Sequence, residues 1–293
     1  MSFFVETLVG GLFAGVMYAL VAIGFVLIYK ASGVFNFAQG AMLLFAALTF
    51  VTLTERGVPF ALAFVLTALV MVLMAAAIER LVLRPLRNRD ALTLFMATLG
   101  LSFVIEGLAQ LLMGTDVHML DLGIEDVGID IGGIFVSQFD LYAAAIALSL
   151  VAVLSVVFSR TSMGVALRAV ADDTLAAQSI GIRLPRIWRI VWSVAGFVAL
   201  VAGLLWGARQ GVQYSLSLVT LKALPVLIIG GFSSIPGAIL AGLLVGAAEA
   251  LADIYLGPLV GGAVSPWFAY VLAVASLLAR PAGLFGDEAI ERV

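Results

Sequence analysis

The chain has no cysteine and a single histidine, His118. Disulfides and thiolate metal sites are thereby excluded, and one imidazole cannot build a histidine cluster for zinc. Lysine is almost as scarce, with Lys30 and Lys222 alone in 293 residues. No Gly-x-x-x-x-Gly-Lys-[Ser/Thr] phosphate loop occurs, so any ATP hydrolysis that serves this chain must come from another polypeptide. An intramembrane enzyme finds no support either: no His and carboxylate cluster stands out, and no Ser is paired with a plausible base. Charged residues make up only 11% of the chain, and no linker-bounded soluble domain or low-complexity segment interrupts it. What fills it instead is hydrocarbon, at 63% hydrophobic residues with a mean hydropathy of +1.20.

Apolar runs of about 17 to 25 residues recur along the whole length, the size that crosses a hydrocarbon core of roughly 30 Å as helix. The expected fold is all-α, a polytopic transmembrane helical bundle of about eight or nine spans in a single domain, 1–293. Candidate spans are 7–28, 37–53, 60–78, 91–113, 141–158, 190–207, 216–231, 237–255 and 267–278. The first follows Glu6 and lacks a basic leader and a small-residue cleavage site, so it is expected to be a retained span. Gly33, Asn36, Gln39 and Gly40 interrupt the second, and Lys222 and Pro225 the seventh. Either could be a broken or re-entrant helix, which is tolerated at membrane depth where protein or water covers the backbone.

The net charge of −3 says little about partners, but the placement of charge orients the chain. The connector 79–90 carries Arg80, Arg84, Arg87 and Arg89, and the polar insert 160–189 carries Arg160, Arg168, Arg183, Arg186 and Arg189. By the positive-inside rule both belong in the cytoplasm. Between them, 115–140 holds six carboxylates and no Lys or Arg, which suits the outer side. Counting spans from these anchors puts the N-terminus outside and the C-terminus inside, with Arg56 and Arg209 as external exceptions. Trp188, Trp192 and Trp206 near the ends of the sixth span fit interfacial aromatic belts. Small-xxx-small spacing at Gly203 with Gly207 and Gly242 with Gly246 permits close helix packing.

Polar residues inside the spans fall into three groups. Asn36 and Gln39, with Gly33 and Gly40 loosening the backbone, could present amides to a polar solute; a helix cap would account for Asn36 but leaves Gln39 without a purpose. Thr98, Ser102 and Glu106 are four apart and share one helix face, a candidate pathway lining, although Ser and Thr also bond carbonyls of their own helix. Lys222 and Glu249 each sit inside a predicted span, where a lone charge is costly, so mutual pairing is expected. The simplest role for such a pair is to fix two helices.

The insert 160–189 serves neither folding nor spanning, so it is expected to meet something in water. It contains a helix-forming amphipathic run, 165–180, with Asp172 and Asp173 followed by Ala176 and Ala177, which would let a partner approach closely; Gly181 ends the helix and Leu184-Pro185 follows.

Three segments resemble one family in order along the chain. IGFVLIYKASGVFNFAQGAM is similar to the N-terminal motif of the branched-chain amino acid ABC transporter permeases. The run 229–238 resembles that family's Gly-Gly-x-Gly-Ser-x-Pro-Gly-Ala segment, with Phe232-Ser233 in place of the x-Gly pair. In the insert, Arg168, Ala177 and the Asp172-Asp173 pair precede Gly181-Ile182 as in the family's coupling segment, which implies that Arg168, Asp172, Asp173, Ala176, Ala177 and Gly181 dock an ATPase. The resemblance implies an importer permease of the bacterial cytoplasmic (inner) membrane, binding no cofactor itself while partner subunits use ATP. Implied partners are ABC ATPase subunits, an external solute-binding protein and a homologous permease, as a heterodimer by family precedent, in the lipid bilayer and without nucleic acid. Solutes in the family are branched-chain or other amino acids, short amides or urea. The alternative is an ion-coupled secondary transporter of a small polar solute, with Glu106 or Glu249 carrying protons.

Overall fold

The structure, a computed structural model, describes residues 2–86, 89–130, 132–281 and 283–286. Arg87, one of the connector's cations, lies outside the described residues. The described residues are mostly helical: α1 (Ser2–Ser32), α2 (Gln39–Glu55), α3 (Phe60–Ile78), α4 (Ala91–Met113), α5 (Gln138–Arg160), α6 (Ser162–Asp172), α7 (Thr174–Ser179), α8 (Leu184–Gln210), α9 (Val219–Gly230), α10 (Ile235–Tyr255), α11 (Gly257–Val260) and α12 (Ser265–Ala279). A short antiparallel hairpin, β1 (Gly128–Asp130) with β2 (Phe135–Ser137), sits in the acidic segment.

Among the described residues six helices are long and apolar enough to cross a bilayer, and the stretches Gln39–Glu55, Tyr214–Gly230 and Ser265–Ala279 are shorter. These nine correspond to the nine sequence candidates. The seventh is irregular, but not where its Lys and Pro suggested: a 3₁₀ turn, Tyr214–Leu218, runs into α9, which continues through Lys222 and Pro225 without a break. The first runs past its expected end at Ile28 to Ser32, because nothing stops a helix until Gly33, at φ +68°. The second ends in a Schellman turn: the N–H of Val58 reaches the carbonyl of Leu53 at 3.0 Å, that of Gly57 reaches Thr54 at 2.9 Å, and Pro59 then blocks continuation. Past α3, five residues (Glu79–Leu83) wind as a π-helix.

The chain forms two compact units. One comprises Met1–Val26, Gly123–Ala152 and Thr220–Val293; the other comprises Leu27–Leu122 and Val153–Val219. In the first, the glycines of α1 and α10 face each other, and a Cβ on Gly11 would come within 2.7 Å of the Gly246 carbonyl oxygen. The sequence reading caught Gly242 and Gly246 but not their partners Gly11 and Gly15, which have the same spacing of four. In lipid, where apolar side chains gain little by leaving the solvent, backbones approach through such residues and dispersion holds the pair.

In the second unit α8 packs against α2 and α3, and α2 against α4. A Cβ on Gly203 would stand 2.7 Å from the Leu43 oxygen. The tryptophans of α8 correct an expectation here. Trp188, Trp192 and Trp206 are 6%, 1% and 7% exposed, and the Trp188 indole donates to the Ala31 carbonyl at 3.0 Å. They are core residues of this unit rather than members of an interfacial belt.

The amphipathic run 165–180 also differs from expectation. It is two helices, α6 and α7, at an angle set by Asp173, whose φ and ψ of −153° and 104° are extended. The Asp173 carboxylate caps α7, accepting the N–H groups of Leu175 and Ala176 at 2.8 and 2.9 Å. Cap competition from a short acidic side chain breaks the helix there. At the far end, Gly181 stands at φ +94° and closes a Schellman turn, with Ile182 N–H on the Ala177 carbonyl at 3.1 Å.

Candidate functional site

The first polar group lies in the second unit, on the turn between α1 and α2. Asn36, Gln39 and Thr98 are fully buried. The Asn36 carbonyl oxygen of the side chain accepts Ala38 N–H at 3.1 Å, its amide donates to Gln39 Oε1 at 3.4 Å, and the Gln39 amide donates to the Ala195 carbonyl of α8 at 3.4 Å. The cap residue of α2 is Ala38, two places later, so Asn36 shapes the turn without capping the helix itself. Thr98 of α4 donates to the carbonyls of Phe95 and Phe35 and accepts the N–H of Phe37 at 3.4 Å. The two groups separated in sequence are therefore one cluster, in which three helices meet at the turn. Phe35, Phe37 and Phe95 stack edge-on around it with centroids 4.7 Å apart.

Along the same face of α4, Ser102 is half-buried and Glu106 buried. Glu106 lies near the half-exposed Tyr214. The stripe thus runs from a fully buried Thr98 through a half-buried Ser102 to a buried Glu106.

Lys222 and Glu249 lie in the first unit. Lys222 Nζ donates to Glu249 Oε1 at 2.7 Å, to Ser265 Oγ at 3.2 Å and to the Tyr18 hydroxyl at 3.4 Å. Ser265 also donates to Glu249 Oε1. Asp253, one turn beyond Glu249 on α10, accepts the N–H groups of Val264 and Ser265 at 3.2 Å each and so pins the start of α12. Four helices converge on one ammonium group. Sequence reasoning missed Tyr18 and Ser265, which stand 204 and 43 residues from Lys222. A hydroxyl in the otherwise apolar run of α1 was the one available signal.

In the insert, Arg168 donates to the Phe158 carbonyl at 2.6 Å, tying α6 to the end of α5. Asp172, Asp173, Ala176 and Gly181 are exposed. Ala177 is 2% exposed and faces inward, so it offers no surface to a partner. Three large apolar side chains are also turned outward: Leu175 at 80%, Ile180 at 76% and Val165 at 56% exposure. Beside them opens a cleft of about 740 Å³ with four guanidiniums on its walls, Arg84, Arg183, Arg186 and Arg189. Arg189 reaches the buried Glu79 carboxylate at 3.1 Å.

Residues 7–280 match the family described as branched-chain amino acid transport system / permease component. The high-affinity branched-chain amino acid transport system permease protein LivH of Salmonella typhimurium and its counterpart in Escherichia coli are each 30% identical, with 99% of this chain and 98% of each relative covered. A probable branched-chain amino acid transport permease protein LivH of Methanocaldococcus jannaschii is 29% identical over 92% of this chain and 89% of its own. Among solved structures, a chain of PsaBC from Streptococcus pneumoniae in complex with Fab shares the fold at TM-score 0.50 and 14% identity, covering 92% of this chain and 89% of that one. Together with its multi-pass helical bundle, these matches make the chain a transport permease: it belongs to the family of permease components of branched-chain amino acid transport systems.

Proposed function

We propose that this chain is a membrane-spanning permease subunit of an ABC importer in the cytoplasmic membrane, translocating branched-chain or related amino acids. Separate ATPase subunits supply the energy, an external binding protein delivers the solute, and a homologous permease completes the pathway as a heterodimer. The chain binds no cofactor and performs no chemistry on the solute. In this reading the acidic segment 115–140 faces outward and the insert 160–189 lies in the cytoplasm.

The observation that carries the proposal is the exposure of Leu175 and Ile180 on α7 and its C-terminal turn. Two large apolar side chains held out by a capped, six-residue helix form a knob that needs a partner's groove. Arg168, Asp172, Asp173, Ala176, Ala177 and Gly181 surround that knob: Arg168 ties α6 to α5, Asp173 breaks and caps, Ala177 packs inward, Gly181 ends the turn, and Asp172 and Ala176 stand exposed beside it. Within the membrane we assign the half-buried Ser102 and the buried Glu106, one turn on along the α4 stripe, to the solute pathway. Asn36, Gln39 and Thr98 form its fully buried end.

Replacing Leu175 and Ile180 with Asp tests the proposal, since both sites are in water and the spans are untouched. The ATPase is expected to be lost on co-purification in mild detergent, with uptake and solute-stimulated ATP hydrolysis falling together. Uptake that survives, or that runs in vesicles without ATPase subunits, overturns the importer reading in favour of ion coupling.

A further inference from the structure

Lys222 stands in the middle of the apolar stretch Tyr214–Gly230, and its side chain is 36% exposed. An ammonium group cannot rest against hydrocarbon, so the open side of Lys222 faces water or protein at membrane depth. Glu249 beside it is 7% exposed; its Oε1 takes both Lys222 and Ser265, while its Oε2 is buried and has no hydrogen-bond partner among the described residues. A purely structural pair would be closed over and satisfied on both oxygens, because an unmet buried acceptor is costly. This one is open on the cationic side and one hydrogen bond short on the anionic side.

We propose that Lys222 and Glu249 recognise the charged head of an amino acid in transit, Lys222 taking the α-carboxylate and Glu249 the α-ammonium; this rests on the importer reading above. A zwitterion brings both charges into a low-dielectric path, and each needs an opposite charge there. Among the described residues well inside the apolar helices the charged groups are Glu106, Lys222 and Glu249, so Lys222 is the cation available to a carboxylate. At rest the pair neutralises itself. When solute arrives, its carboxylate displaces Glu249 from Lys222, and its ammonium takes up the released Glu249 with donors to spare for Oε2. One ion pair becomes two, the net charge stays zero throughout, and no proton need move. The hydroxyls of Ser265 and Tyr18, already on Lys222, remain as neutral partners during the exchange. Ser265 is held for this by the Asp253 carboxylate on its own N–H.

The test uses the assembled transporter, permeases with ATPase subunits, in nanodiscs without the external binding protein. Binding of L-leucine is followed by saturation-transfer NMR and compared with 3-methylbutylamine, which lacks the carboxylate, and 4-methyl-2-oxopentanoate, which lacks the ammonium. In the wild type L-leucine is expected to bind, with each analogue weaker by about tenfold, the loss of roughly one charge-assisted contact. Lys222→Gln should weaken L-leucine to the level of 3-methylbutylamine while leaving the amine unchanged, and Glu249→Gln should do the same with the oxo acid. The wild-type comparison stands whether or not either variant folds. The assignment is overturned if the wild type does not bind L-leucine, if it binds all three alike, or if Lys222→Gln weakens all three equally. Uptake with binding protein and ATP, measured on the same preparation, separates the two levels: ATP-driven uptake alongside any of those results fells this assignment alone, whereas uptake without ATP fells the importer reading.

Discussion

Two polar clusters sit inside this apolar chain, and they solve the same problem in opposite ways. At the turn before α2, Asn36, Gln39 and Thr98 are neutral, fully buried and bonded to the backbone of their own unit. In the other unit, Lys222 and Glu249 are charged, and the cluster is open at Lys222 and unpaired at Glu249 Oε2. Neutral amides can close a bend by replacing the water that a membrane cannot supply, and once every group is met nothing is left for a solute. A charged pair left partly open keeps groups that a solute could meet. The contrast separates a polar cluster met within the fold from one that the proposed head-group contact would complete.

The sharpest way to break this comparison is to remove charge in two steps. Lys222→Met alone strands the Glu249 carboxylate, and uptake is expected to disappear together with about 1–3 kcal/mol of stability, the usual cost of breaking a buried pair reduced because Lys222 is a third exposed. Adding Glu249→Leu removes the stranded charge, so the thermal midpoint in detergent should recover most of that loss. Uptake should not recover with it. Full transport by the double variant would show the pair to be a structural tie like the amide cluster.

Asn36→Ala is the opposite experiment, with a smaller effect. It takes the acceptor from Ala38 N–H and the donor from Gln39 Oε1 in a site with no access to water. A loss of about 1–3 kcal/mol is expected, seen as a lower unfolding midpoint. Uptake per folded transporter should stay within about twofold of wild type, because the loss falls on folding and not on solute contact. An Asn36→Ala protein of unchanged thermal stability but abolished uptake would move Asn36 into the pathway and erase the distinction between the clusters.

The apolar helices of the described residues were legible because length and hydropathy decide whether a segment crosses a bilayer, whatever its neighbours do. The approach of Lys222 to Glu249 was legible from energetics, since two isolated charges in hydrocarbon have few stable arrangements. Burial was not. Trp188 in the core of the second unit and a tryptophan at a lipid interface have the same local sequence, and only the packing of α2 and α3 on α8 distinguishes them. The burial of Ala177 was hidden for the same reason: smallness suits a residue packed inward as well as one that admits a partner. The break at Asp173 left a signal, an aspartate followed by a helix-forming run, but continuous helical periodicity on both sides hid it. Ser265 and Tyr18 reach Lys222 through the fold alone, across 43 and 204 residues of chain.

The smallest expected effect belongs to a polar side chain that does neither job, and it serves as the aqueous reference for both clusters. Asp90 caps α4 from the connector side, accepting Thr93 N–H at 3.3 Å and the Thr93 hydroxyl at 2.6 Å. Those two bonds, the hydroxyl first, hold its carboxyl below the usual carboxylate range. The sign follows from linkage: with the folded pKa depressed, the charged cap's contribution is complete above the unfolded value near 4, and it fades as the pH falls through the lower folded value. Asp90→Asn keeps a good capping group but loses the negative charge at the helix N-terminus. Hydrogen exchange at the first turn of α4 should be faster in Asp90→Asn than in wild type at neutral pH, and the gap should close on acidification below about pH 4. Transport at neutral pH should be unaffected. A gap that persists unchanged at low pH would mean that Asn and Asp differ there in geometry and not in charge, and the cap would then be a poor reference for what ionisation contributes at Lys222 and Glu249.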